Sequence, residues 1–122
     1  MTVLWVALAG SAGALARFGL DGGIRRRWST TFPWATLVVN VTGSLVLGVV
    51  SGLVLFRGGP DAVRIIVGTG FCGGYTTFST ASFETVRLLR TGRRLQAAAN
   101  AVGGLLLTVL AGGAGLALAQ LG

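Results

Sequence analysis

The sequence has no lysine and no histidine, a single cysteine, and only three acids, Asp21, Asp61 and Glu84. Each shortage excludes chemistry. Without histidine, and with Cys72 alone, the chain cannot assemble a transition-metal site. Without lysine there is no P-loop lysine and no Schiff base. The three acids stand in different parts of the chain, so no carboxylate pair for acid–base work is evident. Cys72 has no partner for an internal disulfide. An enzyme is not expected. Charge is scarce too: 11% of residues are charged, against about a quarter in an ordinary soluble domain.

What remains is apolar. Of 122 residues 52% are hydrophobic and 21 are glycine, with a mean hydropathy of +0.79. A membrane helix needs about 20 mostly apolar residues. Four apolar runs fit, over about residues 2–20, 33–56, 61–89 and 95–121, and leave no room for a soluble domain. The chain is expected to be one all-α membrane domain, residues 1–122. The first run lacks a basic stretch ahead of it and reads as a retained helix rather than a cleaved signal. Residues 21–32 read as a connecting segment. Pro33 suits a first helical position. Arg57-Gly58-Gly59-Pro60 reads as a turn, and Asp61 sits where a helix N-terminus favours an acid.

The net charge of +7 would suggest nucleic acid in a soluble protein. Here the arginines crowd the gaps between apolar runs, so they report membrane topology and no nucleic-acid partner is expected. The first and third gaps hold Arg25, Arg26, Arg27, Arg87, Arg90, Arg93 and Arg94, seven in all, and Arg17 near the first gap makes eight. The other side holds Arg57 and Arg64, two. The positive-inside rule then puts the first and third gaps in the cytoplasm and both termini outside. The Arg25–Arg27 triplet also suits anionic lipid head groups, although topology alone explains it.

Polar residues fall on helical stripes. Thr36, Asn40 and Ser44 recur every four residues and share a face of the second run, extended by Gly43 and Gly48. An amide in mid-membrane needs a partner or water. Asn40 therefore reads either as a helix–helix hydrogen bond or as part of an ion path. Asn100, Gly104 and Thr108 repeat the spacing in the fourth run, where a small-residue packing face is the alternative. The third run contains Gly73-Gly74-Tyr75-Thr76-Thr77-Phe78-Ser79-Thr80-Ala81-Ser82. Glycines and β-branched residues are poor helix formers, so a break is expected near 73–80. Carbonyls freed by a break suit a hard cation such as Na⁺. Hydroxyls can donate to an anion, and the Phe78 ring offers its positive edge. An ordinary kinked helix with hydroxyls bonded back to carbonyls is the alternative. Gly68 to Gly73 also spells a dinucleotide-type glycine pattern, but no strand precedes it.

Three blocks together resemble the Fluc/CrcB fluoride ion channels over nearly the whole length. They are Gly13-Ala14-Leu15-Ala16-Arg17-Phe18, the stretch from Pro33 to Ser44 with Asn40 at its centre, and the stretch from Gly70 through Thr80 to Glu84. The resemblance implies antiparallel dimers of four-helix subunits, two narrow fluoride paths and a central structural Na⁺. It maps the Na⁺ carbonyls onto Gly73 and Thr76, the pore asparagine onto Asn40, and the first ring of the fluoride-lining pair onto Phe78. The motif's hydroxyls and acid map onto Ser79, Thr80 and Glu84, and the first-helix arginine onto Arg17. On this reading Asn40, Phe78, Ser79, Thr80 and Thr108 line the path. Arg17, Thr36, Ser44, Glu84 and Asn100 support it.

Two departures from the family pattern stand out. Ala81 replaces the usual second phenylalanine, with Phe83 two places late. The fourth-helix stripe is poorer in tyrosine and serine than the family's. The strong arginine bias and the missing ring together suggest a heterodimer with a paralogous subunit, with a dual-topology homodimer as the alternative. The expected role is passive fluoride efflux across a bacterial-type cell membrane. The alternative is a small four-helix cation or drug exporter of antiparallel-dimer type. Such exporters use an acid in the first helix, and residues 2–20 contain none. A membrane scaffold packed through glycines is a third class, but it has no need of Asn40 or the hydroxyl cluster.

Overall fold

The computed structural model describes residues 2–28, 32–58 and 60–121. Helix α1 is Thr2–Arg27, and α2 is Trp34–Arg57. Three helical pieces, Asp61–Val63, Arg64–Cys72 and Gly73–Tyr75, run on without interruption and are together α3. The middle piece is wound as a π-helix. Helix α4 is Phe78–Arg90. Helix α5 is Arg94–Leu121, with a π-wound stretch at Ala99–Gly103. There is no strand among the described residues. Helices α1, α2 and α5 are each long and apolar enough to cross a membrane. Helices α3 and α4 together make up the third of four rods in chain order, interrupted at Thr76 and Thr77.

Helix α1 corrects the expectation that it ends near residue 20. It continues through Gly22 and Gly23 to Arg27. Each glycine costs about 1 kcal/mol of helix propensity. Set against that, Arg25 pairs with Asp21 one turn back at 3.0 Å. Arg25, Arg26 and Arg27 fill the last turn, where the helix dipole favours positive charge. The extension also brings Asp21 into the first helix, which was expected to hold no acid. Pro33 is the N-cap of α2 rather than its first turn. Helix α2 ends at Gly58, whose φ of +68° lets its N–H bond back to the Leu53 carbonyl, a left-handed cap that suits glycine.

Helix α2 is the central rod, and it packs along α5 over most of its length. Lipid supplies no hydrophobic drive between helices, so they associate by close backbone approach. Gly48 faces the Gly112 carbonyl, and a Cβ there would collide with it. On the other flank Gly13 of α1 is pressed against the Phe71 carbonyl of α3 in the same way. Gly103 and Gly104 of α5, by contrast, have no neighbour within 4 Å that a Cβ would meet.

Two polar links sort the rod ends. Arg25 near the end of α1 bonds Glu84 of α4. Arg57 at the end of α2 donates from Nε to the Ala119 carbonyl at the end of α5, at 3.1 Å. The arginine-rich ends of α1 and α4 therefore lie together, and the ends of α2 and α5 lie together.

Candidate functional site: the break in the third rod

The break occupies two β-branched residues. Thr76 has φ −82°, ψ 161° and Thr77 has φ −148°, ψ 120°, both in the extended region that β-branched side chains favour. This is narrower than the break expected near 73–80. Gly73 and Gly74 stay helical, and Gly74 instead lets α1 approach at the Gly10 carbonyl.

Interrupted backbone is tolerated at membrane depth only if its polar groups find partners. Asn40 supplies them. Its Oδ1 accepts from the Thr77 N–H at 2.8 Å, and its Nδ2 donates to the Thr77 carbonyl at 2.9 Å. The side-chain amide thus stands in for a neighbouring peptide unit. Thr77 Oγ1 in turn caps α4 by accepting from the Thr80 N–H at 3.1 Å, as an N-cap threonine should. The last turn of α3 closes with two bonds to the Cys72 carbonyl, from the Thr76 N–H at 2.9 Å and from Thr76 Oγ1 at 2.8 Å. In an unbroken helix the Thr77 N–H would bond the Gly73 carbonyl. With that N–H on Asn40, the Gly73 carbonyl loses its ladder partner.

Three cavities surround the break. One of about 310 Å³ is lined by Asn40, Ser44, Gly73, Thr76, Phe78 and Thr108 among others. A larger one of about 490 Å³ shares Asn40, Phe78 and Thr108 and adds Thr36, Ala81, Ser82, Thr85 and Asn100. The third, about 220 Å³, is lined by Arg17, Phe18, Asp21, Thr36, Thr77 and Thr80. Asn40, Phe78 and Thr108 therefore stand where two cavities adjoin, and Thr36 stands between the second and the third.

The structure brings together most of the residues singled out from the sequence. Thr36 and Asn100 are buried. Asn100 Nδ2 donates to Thr85 Oγ1 at 2.7 Å and to the Ala81 carbonyl at 3.3 Å, so it ties α5 to α4. Thr108 Oγ1 bonds back to the Leu105 carbonyl while lining two cavities. Phe78 is 87% exposed, so the chain itself leaves that ring uncovered. Ser79 is exposed and lies 3.5 Å from Thr77 Oγ1. It lines none of the three cavities. Ala81, where the family pattern has a ring, lines the largest.

Glu84 lies apart from the cavities. It is only 3% exposed, and its Oε2 accepts from Arg25 Nη2 at 3.0 Å. Sequence reasoning missed that partner, having assigned Arg25 to a loop. It also missed the hydrogen bond between Thr42 Oγ1 and the Tyr75 hydroxyl, 2.9 Å, which joins α2 to α3 at the residue just before the break. The four-residue stripes do not include either contact.

Comparison with known proteins agrees with this architecture. The family described as CrcB-like protein, Camphor Resistance (CrcB), matches residues 4–116. "Fluoride-specific ion channel FluC 1" of Leifsonia xyli subsp. xyli is 51% identical over 116 residues, 95% of this chain and 85% of the relative. "Fluoride-specific ion channel FluC 2" of Cutibacterium acnes is 49% identical over 119 residues, 97% of both chains. "Fluoride-specific ion channel FluC" of Nitrobacter winogradskyi is 44% identical over 108 residues, 88% of this chain and 86% of the relative. Over nearly its whole length, this four-rod chain with its asparagine-bridged break belongs to the CrcB family.

Proposed function

We propose that the chain is the subunit of a fluoride-selective channel, an integral membrane protein and not an enzyme. The observation that carries this is the meeting of two cavities at Asn40, Phe78 and Thr108 beside a break in the third rod, in a chain whose relatives are named fluoride channels. Fluoride holds its water strongly. A path must replace that water with donors yet let the ion go. Asn40 has two N–H donors, and Thr77 takes one of them. The second can serve an ion. The Phe78 edge and the hydroxyls of Ser79 and Thr80 add weak donors, and the Thr108 hydroxyl can join them only by leaving the Leu105 carbonyl, with Thr36, Ser44 and Asn100 along the walls and Arg17 at the third cavity. Efflux is passive: hydrogen fluoride enters as a neutral acid, ionises inside, and the trapped anion leaves. Cytoplasmic fluoride falls.

Several finer features belong to the same proposal. A structural Na⁺ fits the carbonyls of Gly73 and Thr76. A hard cation takes oxygen ligands, six or so in number. One subunit offers two at an open face, where a Cβ on Gly73 would meet nothing within 4 Å, so the rest of the shell must come from a second subunit or water. The exposed Phe78 ring also asks for a second subunit. We assign an antiparallel dimer in a bacterial-type plasma membrane, with the arginine-rich ends cytoplasmic, both termini outside and lipid around the rim. The arginine bias favours a paralogous partner over a second copy.

The exporter alternative gains nothing from the acid that α1 turns out to contain, because Asp21 is paired with Arg25. The test is fluoride efflux from liposomes loaded with potassium fluoride, read by electrode, with the purified chain alone and with a paralogous subunit of reversed arginine bias. Fluoride release without chloride release is expected. Release of neither ion, or of both equally, overturns the reading.

A further inference from the structure

Helix α4 carries Phe78, Ser79 and Thr80 in its first turn, yet it is a short rod cut off from α3. Three polar links hold it in place. Asn40 grips Thr77 just before its start. Asn100 grips the Ala81 carbonyl and Thr85 hydroxyl in its middle. Arg25 grips Glu84 further along. The first two links come from residues that also line the cavities. The third comes from a residue that lines none of them.

The Arg25–Glu84 link is unlike an ordinary surface pair. The Glu84 side chain is 4% exposed and that of Arg25 is 47%. Glu84 Oε1 is buried with no hydrogen-bond partner, so the carboxylate depends on Arg25 alone. Arg25 is itself fixed: its Nε bonds both oxygens of Asp21 at 3.0 Å. One guanidinium therefore bridges an acid of its own helix and an acid 59 residues away in sequence. Removing one partner of a buried pair leaves a bare charge, which is far more costly than the pair itself. Without Arg25 neither oxygen of Glu84 would be bonded. The carboxylate would then move toward water and take α4 with it. Glu84 lies one to two turns from Ser79 and Thr80, so turning α4 re-aims the residues of its first turn.

We propose that Arg25 is a positioning residue for fluoride conduction: bridging Asp21 and Glu84, it sets the rotation of α4 and hence the aim of Phe78, Ser79 and Thr80. The flux part of this rests on the channel reading above; the anchoring part does not.

The experiment compares the full-length wild type with Arg25→Gln, Arg25→Lys, the double variant Arg25→Gln/Glu84→Gln, and Arg27→Gln as a neighbouring-charge control. Each chain is reconstituted with the same paralogue of reversed arginine bias, and fluoride efflux from liposomes and hydrogen exchange of residues 78–90 are measured on the same preparations. Arg25→Gln should lower flux about tenfold or more and speed exchange across α4. Arg25→Lys, which keeps a cation for Glu84, should recover part of both. The double variant, which removes the bare charge, should recover more flux than Arg25→Gln. Arg27→Gln should match wild type. Unchanged flux and exchange in Arg25→Gln overturn the proposal, as does a loss that neither Lys nor the double variant repairs. If the wild type releases no fluoride even with that partner, the channel reading fails, and the exchange rates still decide whether Arg25 anchors α4.

Discussion

Asn40 and Thr77 exchange two hydrogen bonds, at 2.8 and 2.9 Å, across the one place where the third rod gives up its helical ladder. The side chain of α2 acts as a piece of backbone for α3 and α4. The reading of Asn40 as a helix–helix hydrogen bond and its reading as part of an ion path are thus compatible. The bond to Thr77 fixes the amide, and the fixed amide keeps one N–H to spare at the junction of two cavities.

That geometry makes Asn40→Asp more informative than truncation. The carboxylate can still accept from the Thr77 N–H, but it confronts the Thr77 carbonyl as acceptor against acceptor. It also places negative charge on an anion path. The expected result is a loss of about 1–3 kcal/mol in stability and a fall in fluoride flux of at least about tenfold. Denaturation in detergent and liposome efflux with the same partner measure the two. Wild-type flux from a folded Asn40→Asp channel would falsify the pore assignment.

Gly43 lies directly over the break. A Cβ there would overlap Thr76 Cγ2 and come within 3.1 Å of the Tyr75 ring. Gly43→Ala should therefore destabilise by about 1–3 kcal/mol through overpacking and lower flux by shifting Thr76. Thr76→Ser removes that Cγ2 while keeping the hydroxyl that bonds the Cys72 carbonyl. The double variant Gly43→Ala/Thr76→Ser should be more stable than Gly43→Ala alone. Equal thermal midpoints for the two would show that the methyl is not the obstacle.

Hydropathy placed α2 and α5 within a residue or two, because nothing but apolar runs can cross lipid. Their ends, expected at 33–56 and 95–121, fall at Trp34–Arg57 and Arg94–Leu121. The end of α1 was misjudged because Gly22-Gly23 and three arginines resemble a loop. The i, i+4 spacing of Asp21 and Arg25 was the helical signal that could have corrected this. The break was legible as a cluster of poor helix formers, but composition could not say that the threonines break while Gly73 and Gly74 stay helical and Gly74 packs. That choice depends on Asn40 and Gly10 arriving from other helices. The Arg25–Glu84 bond had no local signature at all. The exposure of Phe78 likewise had no signal in the sequence spacing.

The proposed Na⁺ gives a prediction that separates one subunit from two. Within the subunit a Cβ on Gly73 meets nothing, so Gly73→Ala should leave the isolated chain's helix content and thermal midpoint unchanged. If the Gly73 carbonyl shares a cation with a second subunit, Gly73→Val should weaken dimers and flux, while Thr76→Ser should be mild. Preparing the wild type with N-methylglucamine in place of Na⁺ should shift it toward monomer by size-exclusion chromatography. No shift in oligomeric state, together with unchanged flux, removes the structural cation.

The last prediction concerns the partner. An antiparallel homodimer needs one chain to insert in both orientations, and that requires little arginine bias. Here the ends of α1 and α4 and the start of α5 carry Arg25, Arg26, Arg27, Arg87, Arg90, Arg93 and Arg94, against Arg57 and Arg64 on the other side, seven to two. The structure keeps that grouping, since Arg25 reaches α4 and Arg57 reaches the end of α5. Orientation follows such counts in short loops, so a single orientation is expected, and a fixed chain cannot pair antiparallel with itself. A paralogue of opposite bias solves this and could bring the ring missing at Ala81. Expressed alone with a C-terminal reporter active on one side only, the chain should give signal from the outside alone and little fluoride flux. Co-expression with a paralogue of reversed arginine bias should restore flux. Signal from both sides, with flux from the purified chain alone, would establish a dual-topology homodimer and make Ala81 a tolerated variant of the pore.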